Sequence, residues 1–321
     1  MQAKNTVEVC PLCDSKMDKG CVASKFIAWS DKKISEESFS PVIMEGAFVA
    51  FGSEAIVGRN CIICRHSIRN VQLLDCDVEE PNAHLLLHPK ISRVEPVYVP
   101  VPFVNEKLCD HCGKCSKFCQ YNAIFVSPEK VLIFPELCHS CGGCTLVCPK
   151  KAITEGKHKI GTLKLASVGD LELVYGELEV GEPMAVPVIR EVKRHIDSSR
   201  NVILDSPPGT SCPVIETVKG SDFCILVTEP TPFGLHDLKI AVQVLEDMKI
   251  PLGVVVNRAG IGDKKVYEYC KEKDIPILLE IPYQRRIAEL YSTGVPFSSE
   301  MPEWREKFLT LFDEARRLVG E

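Results

Sequence analysis

The chain has 321 residues, 45% of them apolar, and a formal net charge of −6. That length holds two or three domains with real cores, and the acidic balance excludes a general attraction to nucleic acid or anionic membrane. No apolar run reaches the length of a membrane span and the amino terminus has no signal-peptide pattern, so the C-x2-C spacings among the 17 cysteines read as metal ligation in a reducing cytoplasm rather than as disulfides, with Cys76, Cys224 and Cys270 as small core residues.

In chain order, residues 1–69 come first. Cys10-Pro-Leu-Cys13 and Cys61-Ile-Ile-Cys64 are two C-x2-C knuckles around a turn-rich span with short alternating runs such as Val42 to Phe51. Four thiolates in two such turns suit one tetrahedral Zn²⁺, and a domain this small needs a metal to hold its fold. The bland alternative is that these cysteines are small buried residues of an unrelated fold. Gly52 to Asn60 is the nearest approach to a phosphate-binding glycine loop. It carries Glu54 in the cradle, and Arg59 and Asn60 where Lys and Thr are wanted.

Val71–Asp75 is then a short apolar run of the kind buried on both faces of a parallel sheet. Val202–Asp205, Cys224–Thr228, Leu252–Asn257 and Ile277–Ile281 repeat that texture. Amphipathic helical patterns lie among them at Ala185–Ile196, His236–Met248, Lys264–Lys273, Gln284–Tyr291 and Glu303–Leu318. Leu163–Val168 and Leu171–Val180 read as a hairpin over Gly169-Asp170, and the lysines from Lys150 to Lys164 as its solvated face. This alternation predicts an α/β fold with an open, mainly parallel sheet and ligand chemistry at the carboxyl ends of its strands.

Between these parts, residues 104–152 hold two runs of the form C-x2-C-x2-C-x3-C: Cys109, Cys112, Cys115, Cys119, and Cys138, Cys141, Cys144, Cys148 before Pro149. That is the ligand spacing of a [4Fe–4S] loop, with the fourth cysteine of each run serving the other cluster. Cys109, Cys112 and Cys115 therefore pair with Cys148, and Cys138, Cys141 and Cys144 with Cys119. Gly113, Gly142 and Gly143 let the backbone pass close to sulfur. Zinc is the rival occupant. Gln120 stands where such motifs carry Pro, a change expected to affect packing beside Cys119 more than ligation.

Four further stretches stand in order: Asp75-Cys-Asp-Val-Glu-Glu-Pro-Asn, Asp205-Ser-Pro-Pro-Gly-Thr-Ser-Cys-Pro, Thr228-Glu-Pro-Thr-Pro-Phe-Gly-Leu-His-Asp, and Asn257-Arg. An apolar strand followed by Asp is how a Mg²⁺–phosphate site is approached from a sheet, and the Gly209 amide suits a γ-phosphate. From about Val71 to the carboxyl terminus the chain resembles the MinD/Mrp branch of P-loop ATPases, in particular those with an inserted two-cluster ferredoxin domain. The resemblance implies that Asp75 and Asp77 lie in switch I, with Asp77 assisting water activation. It also implies that Asp205 holds Mg²⁺ and Asn257 contacts adenine. The family's strand, Lys-bearing P-loop and helix, which precede the position of Val71, have no counterpart in the sequence. The Cys10 and Trp29-Ser-Asp-Lys-Lys patches, with the closing knuckle, resemble small zinc-ribbon domains of unknown function.

The expected organisation is a zinc ribbon over 1–69, a discontinuous and incomplete MinD-like domain over 70–103 and 153–321, and the ferredoxin insert over 104–152. The expected cofactors are two [4Fe–4S] clusters and Zn²⁺, with ATP and Mg²⁺ depending on a phosphate cradle that the sequence does not supply. The leading expectation is a cytoplasmic electron-transfer or cluster-delivery protein with weak or lost ATPase activity. Its partner is a redox or iron–sulfur client, and the resemblance adds a homodimer or a paired homologous ATPase. Two alternatives stay open. One is an active ATPase using Gly52–Asn60 or a partner's P-loop. The other is a ribbon that binds protein or nucleic acid. Cys212 is either a packing residue or a redox or cluster-transfer ligand.

Overall fold

The computed structural model describes residues 47–51 and 70–320. Cys10, Cys13, Cys61, Cys64 and the Gly52–Asn60 segment lie outside the described residues. In chain order the elements begin with β1 (Ala47–Phe51), β2 (Val71–Asp75), α1 (Ala83–Leu87), β3 (Lys90–Val104), α2 (Lys114–Phe118), β4 (Ile124–Val126), β5 (Val131–Ile133) and α3 (Gly143–Val147). They continue with β6 (Ile153–Val168), β7 (Leu171–Leu178), α4 (Val186–Lys193), β8 (Asn201–Pro208), α5 (Cys212–Val218), β9 (Phe223–Thr228) and α6 (Pro232–Met248). The last are β10 (Leu252–Ala259), α7 (Lys265–Glu272), β11 (Ile277–Pro282), α8 (Arg285–Ser292), α9 (Phe297–Glu300) and α10 (Pro302–Val319). Two compact units result, one of Asn70–Arg200 and one of Asn201–Glu321 with β1.

The second unit is α/β. Its strands lie in the order β11-β10-β9-β1-β8, with β9, β10 and β11 parallel. Gly253 to Asn257 are buried without a break, the pattern of a strand covered on both faces. Helix α6 starts earlier than its apolar periodicity suggests. Pro232 opens it, and the Thr231 hydroxyl accepts the Gly234 amide at 3.0 Å as its amino-terminal cap. Beyond β11, Trp304 and Phe297 meet edge to face at 5.5 Å over Ile287 and close a small core. Helix α5 was not legible in the sequence; seven residues, Cys212–Val218, with Pro213 in the first turn, are too few to show a helical period.

Strand β1 is the surprise of this unit. It lies between β8 and β9 and runs antiparallel to both, with Val49 opposite Asp205 and Phe51 opposite Ile203 and Phe223. Phe51, the last described residue before Gly52, therefore stands at the amino end of β8.

In the unit of Asn70–Arg200, β2 and β7 are parallel, while β6 is antiparallel to both β7 and β3. The strands that carry the α/β alternation are thus mainly parallel, and β1, β3 and β6 are antiparallel additions. Buried Gln72 ties β2 to the end of α4: its amide donates to the His195 carbonyl at 2.7 Å and accepts the Asp197 N–H at 2.9 Å. Strand β3 is an edge strand despite Pro96, Pro100 and Pro102. All three are at even positions, so their missing N–H groups fall on the unpaired side, where proline is tolerated. β3 and β6 form a long ribbon ending at the pair Val104–Ile153, and the Asn105 N–H donates to the Ala152 carbonyl at 2.7 Å. The two cysteine runs hang between these closed ends. The lysines of β6 are largely paired rather than simply solvated: Lys159 with Glu179, Lys164 with Glu177, and Lys157 over the Tyr98 ring.

Among the described residues, no helix is long and apolar enough to cross a membrane.

Candidate metal centre

The cysteine segment folds as two copies of one loop. His111 and Ser140, Gly113 and Gly142, and Asn122 and Lys151 are equivalent positions, and all six have positive φ. A five-residue helix follows each loop, α2 and then α3. The Ala123 N–H donates to Cys119 Sγ at 3.4 Å, and the equivalent Ala152 N–H donates to Cys148 Sγ at 3.3 Å. Left-handed turns aim the first three cysteines of each run inward, and the short helix swings the fourth away from them.

Two cavities result, and they divide the cysteines crosswise. Cys109, Cys112, Cys115 and Cys148 line one of about 350 Å³, walled by Val104, Val126, Val131 and Ile153. Cys119, Cys138, Cys141 and Cys144 line the other, of about 420 Å³, against Pro100, Pro102 and Ile124. Both volumes include space open to solvent. The donor set fits an iron–sulfur cubane: four soft thiols around a space, with N–H groups aimed at sulfur. Among the described residues, no group of three or more His, Cys, Asp or Glu draws together as a grip for one ion.

The thiols need a cation to ionise together. Burial pushes the Cys115, Cys138 and Cys144 thiols up, and neighbouring cysteines push the same way. At Cys115 the Ser116 N–H opposes burial, and at Cys138 the Ser140 N–H does so, donating to Cys138 Sγ at 3.4 Å. Metal binding would release these protons, so uptake should weaken in acid.

The glycines act for different reasons. Gly113 and Gly142 answer the backbone, with φ of 72° and 68°. Gly143 answers packing instead of sulfur: a Cβ there would stand 2.1 Å from the Phe118 ring. Gln120 is exposed and absent from the cavity wall, whereas the equivalent Pro149 lines its own cavity. Tyr121 closes the wall beside Gln120, stacked on His139 at 3.5 Å between ring centroids.

The five residues expected near nucleotide fall in both units. In Asn70–Arg200, Asp75 ends β2 fully buried. Its Oδ1 accepts the Asp77 N–H and its Oδ2 accepts the Asn82 and Ala83 N–H groups, each at 3.1 Å. This carboxyl latches the whole segment to the strand end. Burial raises Asp75 to about 7 and the charge of Asp77 adds to that, while the three amides, Ala83 first, hold it down. Asp77 is itself buried.

In the other unit, Asp205 is buried near the carboxyl end of β8 and Gly209 follows that strand with φ of 94°. Asn257 is buried near the carboxyl end of β10. Next to it, Arg258 pairs through Nε with Oε1 of the buried Glu229 at 3.1 Å, joining the ends of β9 and β10. Sequence reasoning did not single out this pair. Gly262 allows the same junction, since a Cβ there would strike the Pro230 carbonyl oxygen.

Comparison with known proteins adds three findings. Residues 108–152 match the model of the 4Fe-4S dicluster domain. Fold and site together therefore define an iron–sulfur dicluster segment carried by an α/β protein. The chain is 31% identical over 233 residues to the uncharacterized protein MJ0579 of Methanocaldococcus jannaschii, covering 70% of this chain and 79% of that one. It is 34% identical over 216 residues to MJ0578 of the same organism, covering 66% and 76%. The chain belongs to the family of these two proteins. A shorter stretch of 117 residues is 29% identical to the iron-sulfur cluster carrier protein of Aquifex aeolicus, 32% of each chain. Among solved structures, it is similar to the septum site-determining protein MinD of Pyrococcus horikoshii OT3, complexed with Mg-ADP, at 19% identity and a TM-score of 0.44 over 78% of this chain and 85% of that one. It is also similar to a ParA family ATPase of Chlorobium tepidum TLS, at 12% identity and a TM-score of 0.43 over 83% and 96%.

Proposed function

We propose that this protein is an electron carrier with two [4Fe–4S] clusters, one held by Cys109, Cys112, Cys115 and Cys148 and the other by Cys119, Cys138, Cys141 and Cys144. The observation that carries this reading is the crosswise division of eight cysteines between two cavities. Bound there, the clusters would supply one-electron redox chemistry. The chain supplies the thiolates, the N–H donors to sulfur, and walls that limit water. The organisation proposed is an insert over 104–152 in a MinD-like scaffold over 70–103 and 153–321. A zinc ribbon over 1–69 binds Zn²⁺ through Cys10, Cys13, Cys61 and Cys64. The setting is the cytoplasm and the partner a redox protein, with a second copy of the chain or a homologous ATPase as the further associate.

ATP turnover is weak or absent on this reading. Phosphoryl transfer rests on positioning and charge neutralisation by a Lys-bearing glycine cradle at the carboxyl edge of the sheet. Asp75, Asp77, Asp205, Gly209 and Asn257 keep strand-end positions, but β1 runs antiparallel and leaves Phe51 at the amino end of β8. What supports loss is that the sequence holds no Lys-bearing glycine loop, and its nearest approach, Gly52–Asn60, carries Glu54 in the cradle.

Cluster delivery is the second reading, favoured by the stretch shared with the Aquifex carrier protein. One assay separates the readings. The anaerobically reconstituted chain, reduced with dithionite and then freed of excess reductant by gel filtration, is mixed either with oxidised methyl viologen or with an apo-ferredoxin. The electron-carrier reading expects rapid viologen reduction with iron retained on the chain, unaffected by ATP. Iron passing to the apo-ferredoxin with no viologen reduction would overturn it. ATP hydrolysis abolished by Asp205→Ala would overturn the loss of the ATPase.

A further inference from the structure

The two halves of the cysteine segment share a backbone, down to paired positive-φ positions and paired N–H···S contacts. Differences between the cavities must then come from side chains, and these differ in charge. Asp110, Lys114 and Lys150 line the Cys109 cavity, with His111 beside Glu106 at 3.3 Å. Two lysines stand there against one aspartate, and Lys150 Nζ is 3.8 Å from Asp110 Oδ2. The equivalent positions around the Cys138 cavity are His139 for Asp110, Gly143 for Lys114 and Tyr121 for Lys150. None adds a fixed positive charge.

The opposite exchange occurs at a fourth position. Val126 lines the first cavity and its equivalent, Glu155, lines the second. Glu155 is seated over the ligand loop itself, since a Cβ on Gly142 would lie 2.9 Å from its Oε1. The equivalent Gly113 has nothing within 4 Å of such a Cβ. Two lysines therefore offset the carboxylates at one cavity, Asp110 in its wall and the nearby Glu106, whereas the wall of the other holds Glu155 with no lysine or arginine.

We propose that the chain tunes its two clusters to different potentials, with the Cys109 cavity the electron's resting site and Glu155 holding the Cys138 cavity lower. The inference rests on the two-cluster reading above. Reduction adds one negative charge to a site without a proton, so nearby cations raise its potential and nearby anions lower it. An electron delivered by a one-electron reductant to the second site passes to the first. The second returns to its oxidised level as the first is reduced, with no bond made or broken. The charges are solvent-exposed, and salt screens them: the Debye length falls from about 10 Å at 0.1 M to about 3 Å at 1 M.

The test is an EPR-monitored redox titration of the reconstituted full chain. Two separate one-electron steps are expected, drawing together at 1 M salt. Glu155→Gln should raise only the lower step, and Lys114→Gln with Lys150→Gln should lower only the upper one. Val126→Glu should lower the upper step and narrow the gap from the other side. A Cys119→Ala chain should keep the upper step alone, which assigns the steps to cavities. Full iron at both sites with coincident steps, or a Glu155→Gln shift in the upper step, overturns this inference and leaves the two-cluster reading standing. Failure to load both cavities overturns that reading and the inference with it.

Discussion

Combining Cys112→Ala with Cys148→Ala should leave one cluster on the chain, whereas combining Cys141→Ala with Cys148→Ala should leave none. The first pair removes two thiols from one cavity; the second removes one from each. If each run instead served its own cluster, the two outcomes would exchange. Iron per chain reads the result directly: about four atoms against about zero, from about eight in the parent. The effect should be large because little else holds the segment together. Helices α2 and α3 are five residues long, far below the roughly 12 residues at which isolated helices become even marginal in water. Ala123, Ile124, Val131, Ala152 and Ile153 are its few buried apolar side chains. Losing metal from one cavity should therefore loosen that half, seen as rapid amide exchange at Ala123 or Ala152.

Asp75 should make the fold less stable as pH rises from about 4 to about 7, and Asp75→Asn should remove that trend. The carboxyl titrates at about 7 when folded and near 3.8 unfolded. Between those values the folded state holds a proton that the unfolded state has lost, so its contribution is full below about 4 and gone above about 7. The span corresponds to roughly 4 kcal/mol. Asn keeps a carbonyl for the Asn82 and Ala83 amides but offers no acceptor to the Asp77 N–H, which costs roughly 1 kcal/mol. The variant should be slightly weaker than the parent at pH 4 and stronger by a few kcal/mol at pH 8. Urea unfolding across that range measures the difference, and parallel curves for the two proteins would refute the assignment.

Much of the fold was legible because burial on both faces leaves a continuous apolar run. β2 spans the predicted Val71–Asp75, and β9, β10 and β11 begin within a residue of their apolar stretches. The hairpin turn falls at Gly169-Asp170, where β6 ends and β7 begins. The ribbon strand β3 was not legible, since Pro96, Pro100 and Pro102 argue against a strand unless its place at the edge is known. The alternation ending at Phe51 announces a strand but says nothing of its direction, which is antiparallel to both β8 and β9. At the metal centre, spacing and glycines carry the two-loop pattern. Glu155 over Gly142, and Arg258 on Glu229, join residues far apart in sequence and leave no local periodicity.

Elemental and sulfide analysis of the anaerobically reconstituted full chain, with Mössbauer spectroscopy of its iron, tests the two-cluster assignment most directly. About eight iron and eight sulfide per chain are expected, all in tetranuclear clusters, together with one zinc. Zinc alone at the eight cysteines, or iron limited to about four atoms in the parent chain, would contradict that assignment.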